Sequence, residues 1–125
     1  MKKLVAMMLV LAMVLSFAAC GKTAEKAEIK VVDLDGTVAY DFEVELKEGL
    51  TAGVALEDYL KKNNVDYELF DGDMISRIDD MQQDNEAWTV YWSTYVNGEY
   101  GQVGLWEQTM KNGDVIEVKL EESQW

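Results

Sequence analysis

The chain has 125 residues, with 24 acidic residues against 11 basic ones and no histidine. The lack of histidine excludes Ser-His and Cys-His nucleophilic systems and imidazole metal ligands. The net charge of −13 repels nucleic acid and anionic lipid headgroups, so we expect neither as a partner.

The first twenty residues have the organisation of a lipoprotein signal peptide. Two lysines follow Met1, an apolar run extends from Leu4 to Leu15, and two alanines lie directly before Cys20. This run is shorter than the roughly 20 residues that span a bilayer, and a basic start with a short apolar core is typical of an export signal. The Ala-Ala-Cys ending resembles a bacterial lipobox, with Phe17 where an aliphatic residue is usual. An ordinary signal peptide with an incidental cysteine is the alternative.

Three segments follow from this interpretation. Residues 1–19 are predicted to be the cleaved signal peptide, residues 20–27 the lipidated Cys20 with a flexible tether, and residues 28–125 a single domain. The product is expected to be exported and lipid-anchored to the outer face of the bacterial cell membrane. Because Cys20 is the single cysteine, the domain is expected to be stabilised by packing without disulfides.

Alternating apolar residues predict a β-hairpin at the start of the domain. Ile29 and Val31 share one side of a first strand, Asp33–Gly36 forms a turn, and every second residue from Val38 to Leu46 is apolar. A helix is predicted next, with Thr51 as its N-cap, an end near Asn63, and an apolar stripe of Leu56, Tyr59 and Leu60. Gly53 is expected to weaken its first turn.

The second half of the domain is predicted to be rich in strands. The predicted elements are strands 67–70 and 74–78, a polar stretch 79–86, an aromatic strand 88–96, a tight turn at Asn97-Gly98, and a last strand through Ile116, Val118 and Leu120. A hairpin, one helix and further strands predict an α+β, β-grasp-like fold. Its mixed sheet is expected to have about five strands, with one main helix packed on one face.

The aromatic strand carries the candidate binding site. Trp88, Val90, Trp92 and Val96 share one face, which we assign to the core, and Thr89, Tyr91, Ser93 and Tyr95 share the other. The second face has the stacking and hydrogen-bonding groups to hold a flat, partly apolar ligand. The alternative is a solvated face of good strand formers. The candidate ligand-binding residues are Tyr91, Trp92, Tyr95, Phe70, Tyr100 and Trp106.

Two other patterns have simpler explanations than a ligand site. The acidic turns Asp33–Gly36 and Asp71–Asp73 lack the full calcium-loop pattern, and turn formation accounts for them, so no metal site is predicted. Gly98, Gly101 and Gly104 follow a tight turn and do not open a helix, so they are assigned to a flexible loop and not to phosphate binding. Plentiful carboxylates leave a glycosidase-like acid/base pair open. However, so small a domain has little room for a deep cleft, and we do not expect an enzyme.

A resemblance to a known family extends over nearly all of residues 28–125. The motifs that carry it are Tyr91-Trp92, Tyr95–Gly98, Asn112–Glu117, Gly49–Thr51 with the helix to Leu60, and Asp71–Ile78. Together they resemble the C-terminal domain of transcobalamin and intrinsic factor and the bacterial domains related to it.

The resemblance implies a β-grasp-like fold and a role in holding cobalamin or another corrinoid. In the animal carriers, the domain closes over the ligand against a large helical domain that this chain does not contain. We therefore expect a membrane-anchored extracytoplasmic lipoprotein that captures a small-molecule ligand, with a membrane transporter or surface protein as a further partner. Cobalamin would be carried cargo, and no catalytic cofactor is expected. The alternative is a cell-surface structural or adhesive module that binds a protein or a cell-wall partner.

Overall fold

The fold was analysed in a computed structural model, which describes residues 24–123. The predicted signal peptide, residues 1–19, and the predicted lipidation residue Cys20 lie outside the described residues. Among residues 24–123, no helix has both the length and the apolar character needed to cross a membrane.

The predicted hairpin is confirmed and forms one side of the main sheet. Strand β1 spans Lys26–Val32 and pairs antiparallel with β2, Val38–Glu45. Ile29 and Val31 are fully buried, as the alternation predicted. Val38 differs, because it lies at the open end of β2 and is exposed.

The main sheet has five strands and mixed pairing. Strand β8, Val115–Glu122, lies in its centre, parallel to β1 and antiparallel to β6, Val90–Val96. The short strand β7, Glu99–Tyr100, pairs with the end of β6, so the order is β2-β1-β8-β6-β7. With one helix on one face, this arrangement confirms the predicted α+β class.

One helix, α1, spans Ala52–Lys62 and covers the main sheet. The Thr51 hydroxyl accepts a hydrogen bond from the Val54 N–H at 3.4 Å, which confirms the predicted N-cap. Leu56 and Leu60 are fully buried, and the ring of Tyr59 stacks on Phe42 of β2 with 3.8 Å between centroids. The predicted apolar stripe is therefore the face that packs on the sheet.

A second, three-stranded sheet was not predicted as a separate unit. It consists of β3, Tyr67–Phe70, β4, Met74–Ile78, and β5, Met81–Gln82, in that order. Strand β5 falls in the stretch that was predicted to be merely polar. Its two residues show why, since Met81 is buried while Gln82 is exposed, and a two-residue alternation is too short to detect.

The aromatic strand begins two residues later than predicted. Trp88 precedes β6 and adopts a left-handed backbone conformation, with φ of 57°. It is partly exposed and packs edge-on against Phe70, with ring centroids 5.5 Å apart. The assignment of Trp88 to the core strand was therefore wrong, whereas Val90, Trp92 and Val96 do pack against the core.

The core lies between the main sheet and α1 and includes Ile75, Ile78 and Met81 of the second sheet. Its buried residues extend from Ile29 to Leu120 along the chain and include Leu105 from the loop after β7. Because all of these residues follow Gly21, a fragment that begins at Gly21 retains the core residues found among residues 24–123.

Candidate functional site

A groove lies between β6, the loop after β7 and the second sheet. Its walls are formed by Met74 and Ile75 of β4, by residues 92–94 of β6, and by the loop 100–105, and Val118 contributes to its floor. The cavity has a volume of about 340 Å³. This is at the small end of the range for ligand pockets, about 300–1,000 Å³, so it can hold a small ligand or one edge of a larger one.

The rim of the groove is unusually apolar for an exposed surface. Met74 is 44% exposed, Tyr100 61% and Val103 43%, and all three line the same cavity. Single exposed apolar residues are normal, but several around one depression mark a binding surface. The acidic residue Asp73 also lines the groove.

Two backbone contacts fix the loop that forms one wall. The Gly101 N–H donates to the Thr94 carbonyl at 2.8 Å, and a Cβ at Gly101 would lie 3.1 Å from that oxygen. At the other end of the loop, the Leu105 carbonyl accepts the Gly53 N–H of α1 at 2.9 Å. The glycine-spaced segment, which was assigned to a flexible loop, is thus held to β6 and to the helix.

Trp92 connects the two sheets beneath the groove. Its indole Nε1–H donates to the Ser76 carbonyl of β4 at 3.1 Å. The Ser76 hydroxyl is bonded in turn to the side-chain amides of Gln82, at 3.1 Å, and Asn85, at 3.0 Å. Trp92 lies on the helix side of β6, as predicted, and also lines the groove.

A second depression lies on the opposite face of the main sheet. We call it the tyrosine surface; it is lined by Leu34, Tyr91, Tyr95, Tyr100, Leu120, Glu121 and Glu122 and has a volume of about 540 Å³. The rings of Tyr95 and Tyr100 are perpendicular, at 89°, with centroids 5.7 Å apart. The Tyr95 hydroxyl donates to Glu121 Oε1 at 2.7 Å, and this bond raises the pKa of Tyr95 to about 12. Tyr100 lines both the tyrosine surface and the groove.

The structure brings together three of the six predicted site residues. Tyr91, Tyr95 and Tyr100 share the tyrosine surface, and Trp92 lies in the groove on the other side of β6. The remaining two line neither depression: Phe70 packs against Trp88, and Trp106 packs over α1 and donates its Nε1–H to Glu57 at 3.1 Å.

Ser93 also differs from its expected position on a solvated face. It is buried, and its Oγ has no hydrogen-bond partner among residues 24–123. Its cross-strand neighbour is Lys119, and its neighbours along the same face of β6 are Tyr91 and Tyr95. These long side chains surround a small one, which explains how Ser93 becomes buried on the outer face.

Sequence reasoning missed most residues of the groove. Met74 begins a predicted strand and Val103 lies in a glycine-spaced loop, and neither pattern indicates a ligand contact. Trp92 and Tyr100 are the predicted site residues that line the groove, and the glycine spacing at 98, 101 and 104 indicates only a loop. Leu34 and Glu121 of the tyrosine surface are brought near Tyr91 only by the pairing of β8 with both β1 and β6.

In the acidic turn Asp33–Gly36, the carboxylates accept hydrogen bonds from backbone N–H groups. The Asp33 carboxylate accepts the Leu34 N–H at 2.7 Å, and the Asp35 carboxylate accepts the Thr37 N–H at 2.9 Å. The bond to Thr37 also lowers the pKa of Asp35. Within the described part of the chain, no three acidic, cysteine or histidine side chains converge as metal ligands would.

The fold defines an α+β domain that other proteins share. A provisionally described metal binding protein from Ruminococcus gnavus is similar over 79% of this chain and 98% of its own, with 20% identity and a TM-score of 0.53. Haptocorrin, solved in complex with Cbi, is similar over 80% of this chain, with 17% identity and a TM-score of 0.63. The matched region amounts to 25% of haptocorrin. At these identities the likeness establishes the fold, and it agrees with the coarse resemblance found from the motifs.

The family itself follows from the sequence profile. Residues 49–122, more than half of the chain, match the family described as Domain of unknown function (DUF4430), and the chain belongs to that family. No curated protein sequence matches the chain.

Proposed function

We propose that this protein is a non-catalytic, membrane-anchored binding lipoprotein that captures a small-molecule ligand outside the cytoplasm. The observation that carries the proposal is the groove, where Met74, Val103 and Tyr100 expose apolar surface around a floor that includes Val118. Such a concave, partly apolar site with a few polar groups suits ligand capture.

Cobalamin or another corrinoid is the leading ligand. Two observations support it: the motif resemblance to the transcobalamin family, and the shared fold with haptocorrin, which was solved in complex with Cbi. A corrinoid is too large for a cavity of about 340 Å³, so one edge would enter the groove while the remainder extends past Tyr100. In that position the ligand would also reach Tyr91 and Tyr95, the predicted contacts on the other side of β6. A partner, such as a membrane transporter, would cover the remaining ligand surface.

The ligand proposal is tested by titrating the fragment 21–125 with cyanocobalamin, following tryptophan quenching and calorimetric heat. Trp92 lines the groove, so a ligand there should quench its fluorescence. Saturable binding at micromolar or tighter concentrations supports the proposal. Met74→Ser and Val103→Ser should weaken binding, while Val54→Ser, an exposed helix residue away from the groove, should leave it unchanged. Absence of heat and of specific quenching would remove corrinoids as the ligand.

The anchoring proposal needs a separate test because it concerns Cys20. The full chain should fractionate with membranes and incorporate labelled fatty acid when expressed in a bacterium. Cys20→Ala should release it from the membrane and abolish the label. A Cys20→Ala variant that remains membrane-bound would contradict lipid anchoring without affecting the ligand proposal.

Adhesion to a protein or cell-wall partner is the second candidate function, and one feature favours it. Strand β2 forms an edge of the main sheet and is eight residues long, and such an edge is a template for pairing with another chain. Asp41 and Glu43 are exposed on β2, and charged residues of this kind discourage pairing with other copies. Loss of wall or cell attachment on substitution of β2, with no effect from groove variants, would favour adhesion.

A further inference from the structure

The tyrosine surface has the geometry of an aromatic site for a cation. The perpendicular rings of Tyr95 and Tyr100 form two adjoining walls, and Tyr91 lines the same depression. Aromatic faces attract ammonium groups because the ring quadrupole places negative potential above the ring. An ammonium group would bind over an open ring face, because the ring edges carry positive potential and do not attract it.

Carboxylates complete the site. Glu121 and Glu122 both line the depression, and Glu121 accepts a hydrogen bond from Tyr95. A neutral phenol donating to a carboxylate leaves the negative charge in place beside the rings. The chain as a whole carries a net charge of −13, so its field attracts cations toward this surface.

The protein's own Lys119 places an ammonium group over one of these rings, that of Tyr95. Its Nζ lies 4.8 Å from the centroid of the Tyr95 ring, within the range of a cation–π contact. The same ammonium group is 3.5 Å from Glu117 Oε2. Lys119 thus occupies part of the aromatic surface and would compete with a second cation.

We propose that the tyrosine surface binds a small organic cation that carries an alkylammonium group. The rings of Tyr91, Tyr95 and Tyr100 provide cation–π contacts, and Glu121 and Glu122 provide the opposing charge. The cation site adjoins the groove, since the two depressions share Tyr100 among their lining residues. A corrinoid that reaches Tyr91 and Tyr95 would compete with the cation for this surface, so the cation site is tested with no corrinoid present. A failure of that test leaves corrinoid binding in the groove standing.

The test compares choline with its neutral isostere 3,3-dimethylbutan-1-ol at low ionic strength. Both are titrated into the isotopically labelled fragment 21–125, and amide chemical shifts are followed by NMR. We expect saturable shifts at residues 91, 100 and 121 with choline, at millimolar affinity, since each exposed cation–π contact is weak. The neutral isostere should bind at least about fivefold more weakly, because it keeps the shape of choline without its charge.

Variants separate charge recognition from simple apolar contact. Glu121→Gln retains an oxygen for Tyr95 and should weaken choline binding about threefold or more, while Glu48→Gln, in an exposed loop outside the site, should not. Lys119→Met removes the competing ammonium group and should strengthen binding. Equal binding of choline and the isostere, no effect of Glu121→Gln, or no saturable shifts at residues 91, 100 and 121 would each overturn the proposal.

Discussion

The indole ring of Trp106 lies directly against Gly53 in the first turn of α1. A Cβ atom at position 53 would overlap three atoms of that ring. The glycine that appeared to weaken the helix is therefore required by the packing of the loop that carries the groove wall. The Gly53 N–H also bonds to the Leu105 carbonyl, which holds the same loop at a second point.

Gly53→Ala should destabilise the domain, although glycine to alanine in a helix normally stabilises it. We expect a loss of about 1–3 kcal/mol in the free energy of unfolding, because the added methyl group overpacks the site. Chemical denaturation measures it. In a Trp106→Leu background the penalty should be much smaller, and an equal penalty in both backgrounds would contradict the contact as its cause.

Glu57, on the same helix, should contribute strongly to the stability of the domain. Its carboxylate accepts the Tyr67 hydroxyl at 2.7 Å and the Trp106 Nε1–H at 3.1 Å, so it joins α1 to β3 and to the loop. We expect Glu57→Ala to cost about 2–3 kcal/mol, and Glu57→Gln clearly less, since an amide oxygen still accepts one bond. The matched control is Asp58→Ala, because Asp58 is the next residue in the helix and its side chain is exposed. Equal effects at positions 57 and 58 would contradict this role.

The Asp84 carboxylate should make the free energy of unfolding decrease at acidic pH. Its bonds to the Thr89 hydroxyl and to the Ala87 and Glu86 N–H groups lower its pKa from 3.8 to about 2. Because the folded-state pKa is the lower one, this contribution is present above about pH 4 and is lost as the pH falls toward 2. Asp84→Ala should flatten the dependence of unfolding free energy on pH in that window and lower stability at pH 7. An unchanged slope between pH 4 and 2 would contradict it.

Three tyrosines should make the free energy of unfolding decrease at alkaline pH. Hydrogen bonds to Asp79, Glu57 and Glu121 raise the pKa values of Tyr40, Tyr67 and Tyr95, respectively, from 10.0 to about 12. A raised folded-state pKa gives stability that is complete below pH 10 and is lost as the pH rises through 12.

A spectrophotometric titration of tyrosinate formation measures this effect. Part of the tyrosine absorbance change should appear only near pH 12 in the native fragment, and near pH 10 after denaturation. Tyr95→Phe should remove one third of the late component. A single native transition near pH 10 would contradict these three bonds.

Tyr100 gives a cleaner test of ligand contact than Tyr91 or Tyr95. It is 61% exposed, so Tyr100→Ala should change the free energy of unfolding by less than about 0.5 kcal/mol. Tyr91→Ala and Tyr95→Ala are both expected to weaken cyanocobalamin binding. Tyr95→Ala should lower the melting temperature as well, because it removes the bond to Glu121 and the contact with Lys119.

A strong loss of stability in Tyr100→Ala would show that Tyr100 has a structural role. Unchanged corrinoid affinity in Tyr100→Ala, together with weaker binding in Met74→Ser, would show that Tyr100 does not contact the ligand. The two readouts, melting temperature and affinity, keep these outcomes apart.

The sequence by itself determined the local elements of the domain. Apolar alternation located β1, β2 and β8, the Thr51 cap and the stripe of Leu56 and Leu60 located α1, and Asn97-Gly98 located its turn. These patterns are readable because the period of each element and the chemistry of its ends are properties of a few neighbouring residues.

Tertiary structure alone decided the division into two sheets and the composition of the candidate site. The parallel pairing of β1 with β8 and the position of β4 beside β6 join residues far apart in the chain, and nothing in either local pattern encodes the partner. Val103, Met74 and Tyr100 meet at the groove because the loop after β7 is bonded to β6 and α1. Gly53 illustrates this difference. Its low helix propensity is a local property that the sequence reveals, whereas the Trp106 ring, which leaves no room for a side chain at position 53, lies 53 positions further along the chain.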